Sequence, residues 1–208
     1  MTNAEQTAPP QDPLNTSKPE VSVAQPQPHM PGDHHMWIMV LGDMVIFGAY
    51  FIIFMIHRAM NPQLFIASQQ HLNITVGVVN TIVLLTSSWF IARSVLAVRS
   101  GSHRRAIRLT YYGGAFGALF IAIKAYEWAT ELMAGYTMST NEFFTFYYML
   151  TGVHLFHVTL GLIILGVVVR ELRNPRKRRL SMVESGAIYW HLIDLLWIAI
   201  FALLYVLR

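Results

Sequence analysis

Beyond residue 35 the chain alternates long apolar stretches with short polar ones, and the apolar stretches are apolar throughout. Five of them run roughly Met36–Met60, Ile74–Val98, Arg108–Ala134, Phe143–Val169 and Ser185–Leu207. Each is long enough for a helix to cross a hydrocarbon core about 30 Å thick. The strands of a membrane barrel alternate apolar and polar positions with a period of two, and these runs do not. In lipid every backbone N–H and C=O needs an internal partner, so an uninterrupted apolar run closes its hydrogen bonds as a helix. The pattern predicts an all-α membrane protein, a five-transmembrane-helix bundle. Pro62 and Pro175 fall between the predicted spans, where a missing N–H breaks no ladder.

Residues 1–35 form a different kind of polymer, with seven of the nine prolines and scarcely a large apolar side chain. Such a segment buries too little surface to offset its ordering entropy, so a disordered tail is expected over 1–35 and a membrane domain over 36–208. The tail lacks the apolar centre of a cleavable signal, so the first span is expected to stay as a helix.

Composition narrows the class. Of 208 residues 54% are hydrophobic and 12% charged, against about 25% charged in soluble domains. Cysteine is absent, which removes disulfides and thiolate metal sites. The net charge of +4 lies in loops rather than in a patch suited to nucleic acid, and no nucleic-acid partner is expected. Arg99, His103, Arg104, Arg105 and Arg108 lie between spans two and three. Arg170, Arg173, Arg176, Lys177, Arg178 and Arg179 lie between spans four and five. The opposite loops, 61–73 and 135–142, contain neither Lys nor Arg, although Arg58 lies just before the first. The positive-inside rule then predicts a cytoplasmic N-terminus and a C-terminus on the far side. The run Arg176–Arg179 could also meet anionic lipid.

Ionisable groups inside spans are costly unless paired or turned toward protein. Asp43, Lys124, Glu127, His154, His157, His191 and Asp194 are the candidates. Spacings of three or four place Glu127 with Glu131, His154 with His157 and His191 with Asp194 on shared helix faces. At 1.5 Å rise per residue, Asp43 and His191 lie about 8–9 Å above the basic-loop end, Asp194 and His157 about 14–15 Å, His154 and Lys124 about 20 Å, and Glu127 about 24 Å. Ligands of one metal ion must lie within about 2–2.6 Å of it, so the whole set cannot form one centre. A hydrogen-bonded intramembrane network fits the depths better. Lys124, Glu127 and His154 would make one cluster, and Asp194 and His157 a second, with Asp43 and His191 below. A proton relay along one face stays open. Two histidines on one helix face cannot bracket a haem, and no cofactor is expected on this chain.

Gly113 and Gly117 form a GxxxG, and Gly152, Gly161, Ser87 and Ser88 are further points of close helix approach. Trp37, Phe143, Phe144 and Tyr205, near span ends, are expected as interface anchors.

Four segments together resemble a known family. TGVHLFHVTLG (151–161), YWHLIDLLWIAIFALLY (189–205), KAYEW (124–128) and VNTIVLLTSS (79–88) are similar, in order, to helices of cytochrome c oxidase subunit III of the haem–copper oxidases. The likeness covers the last five of that family's seven helices. GDMVIFGAYF (42–51), with Asp43 in place of a glutamate, and Lys124 in place of a glutamine look more like the five-helix branch associated with nitric oxide reductase. The resemblance implies an accessory, non-redox subunit in a bacterial inner membrane. It implies packing on catalytic subunit I with subunit II, or on nitric oxide reductase subunits, with haem and copper in the partner. It also implies phospholipid binding, with His57 and Arg58 as lipid-contact candidates, and support of proton uptake in aerobic respiration or denitrification. From the residues alone, a small transporter or channel is the reading from another class.

Overall fold

A computed structural model describes residues 34–174 and 180–207. Most of the expected disordered tail and the run Arg176–Arg179 lie outside the described residues. Among the described residues there are six helices: α1 (His34–Met60), α2 (Pro62–Gln69), α3 (Ile74–Arg99), α4 (His103–Met133), α5 (Glu142–Arg173) and α6 (Leu180–Phe201), which ends in a π-helical turn, Ala202–Val206. Five of these are long and apolar enough to cross a membrane, and the protein is a multi-pass membrane protein with the expected all-α, five-span architecture.

Polar residues at the helix ends set the boundaries. Asn73 caps α3 by accepting from Thr75 N at 3.0 Å, and Asn141 caps α5 by accepting from Phe144 N at 3.0 Å. At the other ends of α3 and α4, Gly101 (φ +75°) and Gly135 (φ +89°) take the left-handed conformation that closes a helix. Ser102 N then bonds to Ala97 O at 2.8 Å, and Tyr136 N to Glu131 O at 3.0 Å. α4 begins at His103, five residues before the expected span, because its polar first turn still forms helix outside the apolar stretch.

The segment between the first two spans differs from the expected loop. Pro62 stands in the first turn of α2, where its fixed φ favours helix and its missing N–H costs nothing. Phe65 is buried against Phe54 and Phe143, with ring centroids 5.4 and 5.8 Å away. α2 is tied to α5 by Asn141 Nδ2 donating to Ser68 Oγ at 2.9 Å.

Helices α3, α4, α5 and α6 pack side by side, α3 against α4 and α6, and α5 against α4 and α6; α1 lies against α5 and α6. α6 is the hub, with 56% of its apolar window buried against 17% for α1. At its centre Trp190 is fully buried. A β-carbon on Gly117 or on Gly161 would come within 2.6 or 3.0 Å of the Trp190 ring, so these two glycines make the slot it occupies. Trp190 Nε1 donates to Ser87 Oγ at 3.1 Å, and Ser87 Oγ donates to Gly113 O at 2.7 Å, linking α6, α3 and α4.

The expected interface anchors divide. Trp37 is partly exposed, but Phe143, Phe144 and Tyr205 are buried core residues. Phe143 packs against Phe65 of α2, Phe144 stacks on Tyr136, and Tyr205 turns inward to Lys124, so each ring meets protein rather than headgroups.

Candidate functional site

The most polar part of the interior lies where α4, α5 and the π turn meet, toward the end opposite the basic loops. Lys124 is fully buried. Its Nζ donates to Glu127 Oε1 at 3.1 Å, to Tyr147 Oη at 3.2 Å and to Tyr205 Oη at 2.7 Å. Tyr147 donates to the same carboxylate oxygen at 2.8 Å, and the Tyr205 hydroxyl donates to it as well. The rings of Tyr147, Tyr205 and Trp197 surround the ammonium, with centroids 4.6, 5.3 and 5.4 Å away. Cation and carboxylate thus neutralise each other, with two hydroxyls shared between them, in a site walled by aromatic rings. Glu127 Oε2 has no hydrogen-bond partner among the described residues.

The structure brings Lys124 and Glu127 together. His154, expected beside them, is fully buried but held by rings instead, with Phe120 at 5.6 Å and Trp197 at 5.2 Å. Neither of its ring nitrogens has a hydrogen-bond partner among the described residues. Trp197 touches both Lys124 and His154, and its Nε1 donates to Thr81 Oγ1 at 3.0 Å.

The second set resolves into separate pairs. His157 Nε2 lies 3.5 Å from Asp43 Oδ1, joining α5 to α1, while its Nδ1 donates to Val153 O at 2.7 Å. Ser88 Oγ and His191 Nδ1 lie 2.6 Å apart and join α3 to α6. Asp194 is buried, with Oδ1 unpartnered among the described residues. Nearer the basic loops, Arg99 Nη2 and Nε donate to Glu184 Oε1 at 2.7 and 3.1 Å. Among the described residues no three His, Asp or Glu side chains converge as a metal site would require.

His57 and Arg58 lie at the end opposite the basic loops. His57 Nδ1 is 3.2 Å from Glu142 Oε2. Arg58 Nη1 donates to Leu207 O at 2.5 Å and to Gln69 Oε1 at 3.2 Å, and Gln69 Nε2 donates to Leu203 O at 3.1 Å. Together these two side chains occupy carbonyls that the end of the last helix leaves open, where a cation also complements the helix dipole.

Several of these partners escape a search for ionisable groups. Tyr147 and Tyr205 read as apolar aromatics, yet Tyr147 shares a helix face with Thr151 and His154 and lies near the height of Glu127. That coincidence is the one available signal. Gln69 is buried only because α2 exists, and nothing in its immediate sequence marks it.

This five-span bundle has relatives. A family profile described as cytochrome c oxidase subunit III matches residues 32–208. The chain belongs to that family. Cytochrome c oxidase subunit 3 of Thermostichus vulcanus is 32% identical over 175 residues, covering 82% of this chain and 84% of the relative. Quinol oxidase subunit 3 of Bacillus subtilis is 25% identical over 173 residues, with 82% and 84% coverage. Haem–copper oxidase subunit I+III of Aeropyrum pernix is 28% identical over 184 residues, which are 82% of this chain but 22% of that protein. This subunit III homologue is therefore a membrane-embedded accessory subunit of the haem–copper oxidase type and not itself catalytic.

Proposed function

We propose that this chain is the non-redox subunit III of a haem–copper respiratory oxidase in a bacterial inner membrane. It packs on the catalytic subunit, holds phospholipid, and supports proton uptake and complex stability. The observation that carries this reading is the Aeropyrum pernix relative, whose name places subunit I and subunit III in one chain. A fusion of that kind keeps the two membrane domains adjacent. The interior supports it too: Lys124 and Glu127 form an internal ion pair at 3.1 Å, as a scaffold would hold.

The basic loops face the cytoplasm in this reading, with the N-terminus inside and the C-terminus outside. Arg58, at the opposite end of α1, is consistent with that orientation because it is held by the carbonyl of Leu207 rather than lying free in a loop. His57 and Arg58 keep exposed surface beside these contacts and are the proposed lipid-headgroup contacts. A second reading places the chain with nitric oxide reductase subunits in denitrification. Its support is the GDMVIFGAYF segment with Asp43, together with Lys124.

The test is purification of the full chain from its own membranes in mild detergent, with mass spectrometry and metal analysis. A co-purifying oxidase catalytic subunit with haem and copper is the expected result. Haem and iron without copper, on a nitric oxide reductase subunit, would select the second reading. Stoichiometric iron or copper on the isolated chain, or solute transport by the chain alone in liposomes, would overturn both.

A further inference from the structure

Two arginines at the basic-loop end of the bundle stand in different circumstances. Arg99 has a counter-charge, since its Nη2 and Nε donate to Glu184 Oε1. Arg173 is held without one. Its Nη2 donates to Tyr111 Oη at 2.8 Å, and its guanidinium lies 5.5 Å from the Tyr111 ring centroid. Among the described residues no carboxylate pairs with it. Glu171 stands two residues away and so faces another side of α5, while the five residues 175–179 contain no acid. On α4, Arg104 lies two turns from Tyr111 on one stripe, and Arg108 lies two turns from Ala115 on the next. Both are exposed, as is Arg170 on α5.

Beside Arg173 the surface is cut by a groove of about 320 Å³ between α4 and α5. Tyr111, Gly114 and Ala115 line it from α4, and Leu162, Gly166 and Val169 from α5. Two missing side chains leave the hollow. A β-carbon on Gly166 would meet no atom within 4 Å, and one on Gly114 would meet only Leu162 Cδ2, at 3.9 Å. Val169 and Arg108 mark the basic-loop edge of the hydrocarbon, and from there the lining reaches about 10 Å inward to Ala115 and Leu162. Arg173 stands about 6 Å outside that edge, within a headgroup layer about 5–8 Å thick. The groove is thus an apolar slot that runs down from a cation held at phosphate height.

We propose that this α4–α5 groove binds an anionic phospholipid, with its phosphate on Arg173 and Tyr111 and the upper part of one acyl chain along Gly114 and Gly166. The proposal rests on the lipid-holding part of the reading above. It adds a second site, across the membrane from His57 and Arg58, and a headgroup charge. Arg173 uses one N–H on Tyr111 and keeps four, in a planar fork that matches phosphate oxygens. Tyr111 accepts that bond and so keeps its own hydrogen to donate. The ring beside the guanidinium restricts where it points. A zwitterionic headgroup would bring an ammonium to a mouth flanked by Arg104, Arg108 and Arg170. An anionic headgroup brings only charge that these arginines attract, as basic pockets between helices do on the cytoplasmic side.

The test places the full chain in bilayers of equal parts phosphatidylethanolamine and phosphatidylglycerol. The chain is then extracted into mild detergent, and the lipids it retains are counted by mass spectrometry. Phosphatidylglycerol is expected to be enriched. Arg173→Gln should lower that enrichment about fivefold, the effect of one basic residue near the surface. Gly166→Leu should lower it as far without changing any charge, because the new side chain grows into the hollow. Equal retention of the two lipids by the unaltered chain would overturn the proposal, as would enrichment that survives either variant. A loss with Arg173→Gln alone would mean a surface anion contact, which free phosphate also makes, and no lipid slot. Arg173→Gln keeps a donor for Tyr111 at an exposed position, so it stays readable even where Gly166→Leu fails to fold. These outcomes need no partner subunit and leave the assignment to an oxidase intact. Failure of haem to co-purify with the chain would overturn that assignment and leave the lipid measurement standing.

Discussion

Two cations lie within the spans of this protein in opposite circumstances. Lys124 is fully buried and meets a carboxylate, two phenols and three aromatic rings. Arg93 is exposed, and its described partner is one indole ring. A charge inside the hydrocarbon is costly unless it is paired, and Lys124 lies much deeper than Arg93. Lys124 thus has its partners within the bundle, whereas the described contact of Arg93 is the face of the Trp89 ring. A buried charge on its own is therefore a poor guide to function in a membrane bundle; whether its partners are already present is a better one.

The largest effect should come from breaking the completed site. Glu127→Ala leaves Lys124 without its counter-charge and should lower the stability of the full chain by about 4 kcal/mol, as for other buried pairs that lose one member. Unfolding in mixed micelles by increasing anionic detergent measures it. Lys124→Met combined with Glu127→Leu should recover at least half of that loss, because an apolar pair removes both desolvation costs. The remainder would come from the Tyr147 and Tyr205 hydroxyls left unpaired. A double variant no more stable than Glu127→Ala would show that the site is more than a structural pair.

Trp190→Ala should follow. Apolar transfer contributes little when the unfolded helices already sit in lipid. The cost is then set by the cavity between Gly117 and Gly161, about 3 kcal/mol at roughly 24 cal/mol per Å³. Ser87→Ala removes the acceptor for Trp190 Nε1 and the donor to Gly113 O, and should cost about 1–2 kcal/mol in the same assay. If Trp190→Ala costs no more than Ser87→Ala, the Trp190 slot is not the centre of the bundle.

The sequence makes these two kinds of site unequally visible. Apolar runs of the required length reveal the five spans, because lipid imposes length and composition on every one of them. The pairing of Lys124 with Glu127 is also legible, since spacing and depth depend only on helix geometry. The fate of His154 is not. Whether a side chain at the right height meets a carboxylate or the rings of Phe120 and Trp197 depends on helix rotation, which no single span encodes. α2 escapes for a related reason, being a short helix that derives its stability from Phe65 and Ser68 contacts with other segments.

The smallest effect sharpens the comparison most. Arg93→Ala in the isolated full chain should change stability by less than about 0.5 kcal/mol, the range of surface substitutions away from packed contacts. What the chain loses is one exposed ring contact. The same micelle assay therefore separates the two cations: Lys124 and its partners move the curve strongly, and Arg93 scarcely moves it. A loss of 2 kcal/mol or more on Arg93→Ala would mean that this arginine supports the bundle as Lys124 does, and the contrast between the two cations would fail.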